Sequence, residues 1–303
     1  IYSSEKDIFR VFLKLCLKPG CLCDINISVL TSLSAFLCVL HTSGASGGAL
    51  KVTGELLLRF VEYFFGAHLA YAVAMLLATE LFINKDKPQE KPSKFWLWHL
   101  HAVADLLCFY ARADVSITGT ELIPKDTRYL MVSNHRSLAD PVVMVNRMPK
   151  EELTFISKPS NLKIPIIGKV MHKCGCLPLD RENNREALKT VKAATEYINK
   201  DYCSVVIYPE GTRSKQENML PFHAGSFKIA QRADVPVVVV ALRNTDKVAH
   251  NFPLKKTNIY IDVLGVIDAE YVREHKTKDT AQLAQEMIER KLAEEKEKDK
   301  ARG

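Results

Sequence analysis

Three short segments of the chain place reactive or anion-binding side chains at spacings that could do chemistry. The first is Asn134-His135-Arg136-Ser137-Leu138-Ala139-Asp140-Pro141. A carboxylate hydrogen-bonded to one imidazole nitrogen fixes the tautomer and raises the basicity of the other, which is what removing a proton from a hydroxyl requires. On a regular helix, a His-x4-Asp pair would point about 140° apart at 3.6 residues per turn. The pair can therefore meet only if His135 sits in a loop. Asp140 followed by Pro141 predicts a helix N-cap with proline at the first helical position. The second segment is Tyr208-Pro209-Glu210-Gly211-Thr212-Arg213-Ser214. Here a glycine lets a ligand approach the backbone, an arginine offers a planar fork to phosphate, and a threonine adds a hydroxyl. The third, Gly175-Cys176-Leu177-Pro178-Leu179-Asp180-Arg181, ends an apolar run on another cation, with Lys158, Lys163, Lys169 and Lys173 upstream. Taken singly, each segment also fits a capped helix, a glycine turn or a solvated basic surface.

The elements that must position these residues are legible as alternating strands and helices. Apolar runs at Val115–Thr118, Tyr129–Val132, Thr154–Ile156, Cys176–Leu179, Ser204–Tyr208, Val235–Leu242 and Ile259–Val263 predict strands. Pro141–Met148, Asn184–Asn199 and a stretch around Ser226–Arg232 predict helices between them. In the second helix Ala187, Leu188, Val191, Ala194, Thr195 and Ile198 recur at helical spacing. The alternation predicts an α/β domain with a central mixed β-sheet flanked by helices. All three polar segments then follow strands, and open α/β sheets carry their sites at strand C-termini.

Before this domain lie two apolar stretches, so the α/β domain is preceded by N-terminal membrane-associated helices. Leu56–Ile83 carries Arg59, Glu62, His68 and Glu80 but is apolar at its centre and long enough to cross a bilayer. Leu22–Leu40 is weaker, rich in Ser and Thr, and leaves spanning open. Lys6, Arg10, Lys14 and Lys18 precede the pair; Lys85, Lys87, Lys91 and Lys94 follow it. Positive charge at both ends predicts a cytoplasmic catalytic domain. The division expected is 1–94 for membrane anchoring and linker, 95–270 for the α/β domain, and 271–303 for a charged C-terminal helix. In the middle segment, Phe95–Arg112 predicts an apolar-heavy helix whose Trp96 and Trp98 suit a membrane interface. In the last, Leu283, Met287, Ile288 and Leu292 form a narrow stripe.

The bulk composition is ordinary for a folded domain, with 303 residues, 47% hydrophobic and 25% charged. A net charge of +7 favours anionic partners without choosing among them. The basic residues are scattered and form no recognition motif, which argues against nucleic acid. Eight cysteines include two C-x-C pairs, Cys21/Cys23 and Cys174/Cys176, too tightly spaced for a structural zinc site. They read as reduced thiols.

The order and intervals of the three polar segments give them meaning together. From about Ile117 to Val266 the chain resembles the glycerolipid acyltransferase family, of the bacterial 1-acyl-sn-glycerol-3-phosphate acyltransferase type. The likeness includes Phe155-Ile156-Ser157-Lys158, Lys163-Ile164-Pro165 with Gly168, and Val235-Pro236-Val237-Val238. One departure is Val239, where that family usually has a second proline in a block tied to chain or acceptor binding. The resemblance implies His135 as the base for the acceptor hydroxyl, with Asp140 orienting it and Asn134 positioning its loop. It implies Arg181, Glu210, Gly211, Thr212 and Arg213 as the acceptor site, the arginines on the phosphate, with Lys158 assisting. It implies an acyl thioester donor on coenzyme A or acyl carrier protein, a lysophosphatidate acceptor, a bilayer-bound setting, no metal, no cofactor and no covalent intermediate.

Other readings stay open at this level. Glycerol 3-phosphate or another lysophospholipid could be the acceptor with the same base. A non-catalytic membrane lipid-binding protein would keep its function when His135 is replaced. A lipase or thioesterase would need a Gly-x-Ser-x-Gly turn, and Gly225-Ser226-Phe227-Lys228 does not supply one.

Overall fold

The computed structural model describes residue 34 and residues 49–85, 91–148, 152–214 and 218–302. The apolar stretch Leu22–Leu40 lies outside the described residues apart from Ser34. The chain divides into two compact units, Ile1–Asn84 and Lys85–Gly303.

In the first unit, helix α1 runs from Ala49 to Phe82, 34 residues. At 1.5 Å per residue it is roughly 50 Å long, more than the hydrocarbon thickness of a bilayer. Its Leu57–Phe82 portion is apolar enough to cross a membrane by length and composition. Some of its polar side chains bond along the helix itself. Arg59 pairs with Glu62 at 2.8 Å, His68 Nδ1 contacts the Phe64 carbonyl at 2.8 Å, and the Thr79 hydroxyl donates to the Leu76 carbonyl at 2.8 Å. Leu58, Phe65, Leu69, Leu81 and Phe82 stand exposed. Such a continuous apolar surface would be costly in water.

The second unit is built on a seven-stranded sheet in the order β1-β7-β6-β2-β5-β3-β4. Its strands are β1 (Ala113–Thr118), β2 (Leu130–Ser133), β3 (Leu153–Ser157), β4 (Leu177–Pro178), β5 (Ser204–Ile207), β6 (Val237–Arg243) and β7 (Thr257–Ile267). Its helices are α2 (Lys94–Tyr110), α3 (Ala139–Arg147), α4 (Ile167–Lys173), α5 (Asn184–Asn199), α6 (Lys228–Ala233), α7 (Lys247–Asn251), α8 (Ala269–Glu274) and α9 (Thr277–Arg302). All neighbouring strands pair in parallel except β6 with β7, so the sheet is mixed as expected. Because β7 runs against β6, the segment joining them lies at the same edge as the C-terminal ends of β2, β3, β4 and β5. The four short helices α4, α6, α7 and α8 are five to seven residues long. Only α6 falls on a stretch that hydrophobic spacing predicted; the others are too short to show a repeat.

The valine- and isoleucine-rich strands pack on both faces, as parallel strands buried between helices do. Leu130, Val132, Val205, Ile207, Val237 and Val239 join one core with Val191, Ala194 and Ile198 of α5. Each such side chain contributes about 1.5–3 kcal/mol on burial. Helix α5 starts at Asn183, whose carboxamide oxygen accepts from the amides of Arg185 and Glu186 at 3.1 and 3.2 Å. Val239 is fully buried in β6, opposite Gly265, where the β6–β7 register shifts. Four thiols of the second unit, Cys108, Cys174, Cys176 and Cys203, are buried. Burial pushes Cys176 up to about 11 and Cys203 up to about 12. Cys176 and Cys203 are therefore packing groups and not nucleophiles at neutral pH.

Helix α9 buries Ala281, Ala284 and Ile288 in the same core, with Leu283, Met287 and Leu292 partly covered beside them. A charge network pins its later turns to the sheet. Arg243 donates to Asp262 and to Glu295 at 3.0 Å each, and Glu295 also takes Lys291 at 3.0 Å and Lys298 at 2.9 Å. These cations hold Glu295 down to about 2. A depressed carboxylate stabilises the fold above its unfolded pKa and loses that contribution as pH falls through the folded value. Glu295→Gln is therefore expected to lower stability by about 1 kcal/mol or less at pH 7. Urea unfolding of wild type and variant should converge as pH falls from about 4.5 toward 2; a pH-independent gap would contradict the assignment.

Candidate active site

The sheet order brings the segments together. β2 lies between β6 and β5, with Val132 opposite Ile207, so the loops leaving these two strands are neighbours. Helix α3 begins at Ala139, not after Asp140. Asp140 is thus not the N-cap that the sequence predicts. The Ser137 hydroxyl accepts the Ala139 amide at 3.1 Å, and Pro141 sits inside the first turn, where its missing N–H has no helical partner to lose. The Asp140 carboxylate is thereby released to fold back over its own loop. Its Oδ2 accepts from His135 Nδ1 at 2.7 Å and from the amides of Arg136 and Ser137 at 2.7 and 2.8 Å. Asp140 is fully buried, while the His135 side chain keeps 20% of its surface exposed. A carboxylate only accepts, so Nδ1 carries the proton and the Nε2 lone pair is left to face a substrate.

Other groups hold the histidine in place. Its ring stacks on Tyr208 at 4.4 Å, with 21° between the planes. The Tyr208 hydroxyl is buried and donates to the Met144 sulfur at 3.4 Å, and burial pushes its pKa well up. Glu210 Oε1 accepts the His135 amide at 2.7 Å, and Oε2 accepts the Leu220 amide at 2.9 Å. The Ser214 amide donates to the His135 carbonyl at 2.9 Å. Asn134 is buried and exchanges two hydrogen bonds with the Leu242 backbone on β6, at 2.9 and 2.8 Å. The loop after β2 is therefore tied to both neighbouring strands.

The cationic side of the site lies toward β4. Gly211 has φ +82°, and a methyl group added there would overlap the Arg181 guanidinium. The arginine at the end of the β4 segment thus lies against the backbone of the loop after β5. Thr212 and Arg213 follow on that loop and are exposed. Lys158, just past β3, is exposed at the same edge and is placed there by strand order alone. Glu210 departs from the acceptor-facing position that the resemblance implies. It is only 2% exposed, and both its oxygens are engaged by backbone amides. Burial raises its pKa, against the lowering effect of those amides. Tyr208 beneath the imidazole and Ser214 on its carbonyl were not legible as site residues, since nothing in their spacing announces such contacts. Among the described residues no group of three or more His, Cys, Asp or Glu is placed to hold a metal ion.

Gly211→Ala would add a side chain at a left-handed φ and displace the Arg181 guanidinium. The expected result is a fold destabilised by about 1–3 kcal/mol and a KM for a phosphate-bearing acceptor raised roughly tenfold. Steady-state kinetics and thermal melts check both halves.

Comparison with known proteins shows what the chain is similar to. Residues 114–243 match the family model described as Acyltransferase. The chain is 34% identical over 155 residues to a 1-acyl-sn-glycerol-3-phosphate acyltransferase of Saccharomyces cerevisiae, covering 48% of this chain and 50% of that protein. It is 28% identical over 165 residues to the Escherichia coli protein of the same name, covering 54% of this chain and 67% of that one. The chain thus spans about half the length of the yeast relative. The crystal structure of the 1-acyl-sn-glycerophosphate acyltransferase PlsC from Thermotoga maritima shares the fold, with a TM-score of 0.56 at 23% identity over 75% of this chain and 88% of that one. The matched 114–243 stretch contains all three polar segments, so His135, Asp140, Arg181 and Gly211 all lie within the residues that resemble that family.

Proposed function

We propose that the chain transfers a fatty acyl group from a thioester of coenzyme A or acyl carrier protein to the sn-2 hydroxyl of 1-acyl-glycerol 3-phosphate, giving phosphatidate. The observation that carries this reading is the pair of Asp140 with the partly exposed His135, bonded through Nδ1, at the sheet edge where Arg181 closes on Gly211. The names of the relatives support the acceptor class.

In this reaction His135 Nε2 takes the proton of the acceptor hydroxyl as its oxygen attacks the thioester carbonyl. An ester C–O bond forms and the C–S bond breaks. The imidazolium returns its proton to the departing thiolate. Asp140 holds the tautomer and faces the positive charge as it develops. Arg181 and Arg213, with Lys158 nearby, take the acceptor phosphate, and Gly211 and Thr212 let it approach the backbone. Glu210 positions the His135 loop from beneath. A thioester is already reactive, so orientation plus a general base supplies much of the acceleration. Helix α1 anchors the protein in a bilayer, and Lys85, Lys91 and Lys94 after it favour a cytoplasmic acyltransferase domain.

The test is acyl transfer by the purified full chain in detergent, with oleoyl- or palmitoyl-coenzyme A or acyl carrier protein as donor. Phosphatidate from lysophosphatidate is the expected product. Transfer to glycerol 3-phosphate alone would keep the chemistry and overturn the acceptor; no transfer with any donor would overturn the reading.

A further inference from the structure

The exposed apolar side chains of the second unit are unevenly distributed. Leu138, Ile164, Ile167, Phe252 and Leu254, together with Phe109 at the end of α2, are 42–81% exposed. By topology all six lie at the sheet edge that carries His135. Leu138 is in the loop after β2, Ile164 and Ile167 follow β3, and Phe252 and Leu254 lie in the β6–β7 connection. At the opposite edge, among the described residues, are Leu122, just past β1, and Phe95 and Trp98 in the first turns of α2, whose Lys94 pairs with Glu152 just before β3.

The β6–β7 connection is the most exposed part of this set. Five consecutive residues, Phe252, Pro253, Leu254, Lys255 and Lys256, are exposed, and Lys247 and His250 precede them on α7. Its base is nonetheless fixed. The Asn251 carboxamide donates to the Thr257 hydroxyl at 2.9 Å, and the Lys255 amide donates to the Asn251 carbonyl at 2.8 Å. Arg112 donates to the Leu254 carbonyl at 2.7 Å. At the other end Asp246 faces Arg136, next to His135, at 3.6 Å. The tip is therefore mechanically joined to the His135 loop. The acids at this end are opposite cations, Asp246 with Arg136 and Asp114 with Lys256 at 2.7 Å, which leaves Lys247 and Lys255 to set its charge.

Phenylalanine and leucine at the tip of a held loop, flanked by lysines, suit the boundary of an anionic bilayer. The rings and branched chains enter the headgroup region, and the ammonium groups remain with the phosphates. An acidic protein would match the lysines but would leave Phe252 and Leu254 without a reason to be exposed.

We propose that the acyltransferase domain docks on anionic lipid through the edge bearing His135, with Phe252 and Leu254 as the inserting wedge and Lys247 and Lys255 as its cationic flank. This rests on the proposed reading that the acceptor is a membrane lipid: docking by this edge would bring the acceptor to Nε2 without its leaving the leaflet.

The direct test attaches an environment-sensitive fluorophore to the full-length Leu254→Cys variant in phosphatidylcholine–phosphatidylglycerol vesicles containing spin-labelled lipid. The parent chain treated alike supplies the background, and Leu122→Cys reports the opposite edge. Quenching at 254 without quenching at 122 is expected. No quenching at 254, or equal quenching at both, overturns the proposal, and quenching unchanged in phosphatidylcholine alone overturns its cationic part. This readout needs no turnover, so it stands apart from failure of the proposed reaction. A second arm uses Phe252→Ser with Leu254→Ser. Transfer to vesicle-borne lysophosphatidate should fall roughly tenfold or more, while transfer to a short-chain, water-soluble acceptor is unchanged. An equal fall with both acceptors, or no fall, overturns the docking role.

Discussion

Replacement of His135 by Ala is expected to lower acyl transfer by roughly 10²–10⁴-fold, the range that a positioned general base supplies. The loss should fall on kcat, because in the proposed reaction other side chains, Arg181 and Arg213, hold the acceptor phosphate. The loop should survive the change: its other ties run through the backbone amide and carbonyl of residue 135, to Glu210 and from Ser214. Circular dichroism and thermal melts should therefore match wild type. Asp140→Asn is the companion variant. Asp140 Oδ2 accepts from Nδ1 and two amides, and an amide group cannot repeat that pattern without turning a donor toward one of them. Wild-type turnover by His135→Ala would remove His135 as the base and overturn the proposed mechanism.

Glu210→Gln should have the second largest effect. The carboxylate accepts one amide on each oxygen, from His135 and Leu220, in an almost completely buried setting. Glutamine keeps one acceptor and sets an NH₂ against the other N–H, so one amide becomes unpaired or the loop moves. An unpaired buried donor costs about 1–3 kcal/mol. A displacement on the order of 1 Å at the imidazole can cost about 10²-fold in rate. The expected signature is a fall in kcat with a smaller change in the acceptor KM. A rise in KM alone would place Glu210 on the acceptor, as the family resemblance implies, and would contradict the positioning role.

Much of the domain was readable from the chain because local pattern and tertiary environment agree. Ser204–Ile207 and Asn184–Asn199 stand in the structure as the hydrophobic spacing predicts. Strands buried on both faces must be continuously apolar, and α5 must alternate every three to four residues. The short helices α4, α7 and α8 escaped because fewer than two turns cannot show a period. β7 extends well beyond Ile259–Val263 on both sides because its outer residues pair with β1 and β6, neighbours that no local window contains.

The candidate site divides along the same line. The sequence by itself determined which groups were available and in what order: the imidazole, the carboxylate, the glycine and the arginines, each at the end of a predicted strand. The kind of chemistry follows from those side chains, since their functional groups do not depend on the fold. Only the tertiary structure decided which of them meet. Asp140 reaches His135 because α3 starts before it; Arg181 reaches Gly211 although β3 lies between β4 and β5 in the sheet. Glu210 turns inward and Tyr208 lies beneath the imidazole because β5 is adjacent to β2. Strand adjacency is set by packing between residues about 70 positions apart, as with His135 and Glu210. Contacts at that separation depend on the whole core, and short-range spacing does not carry them.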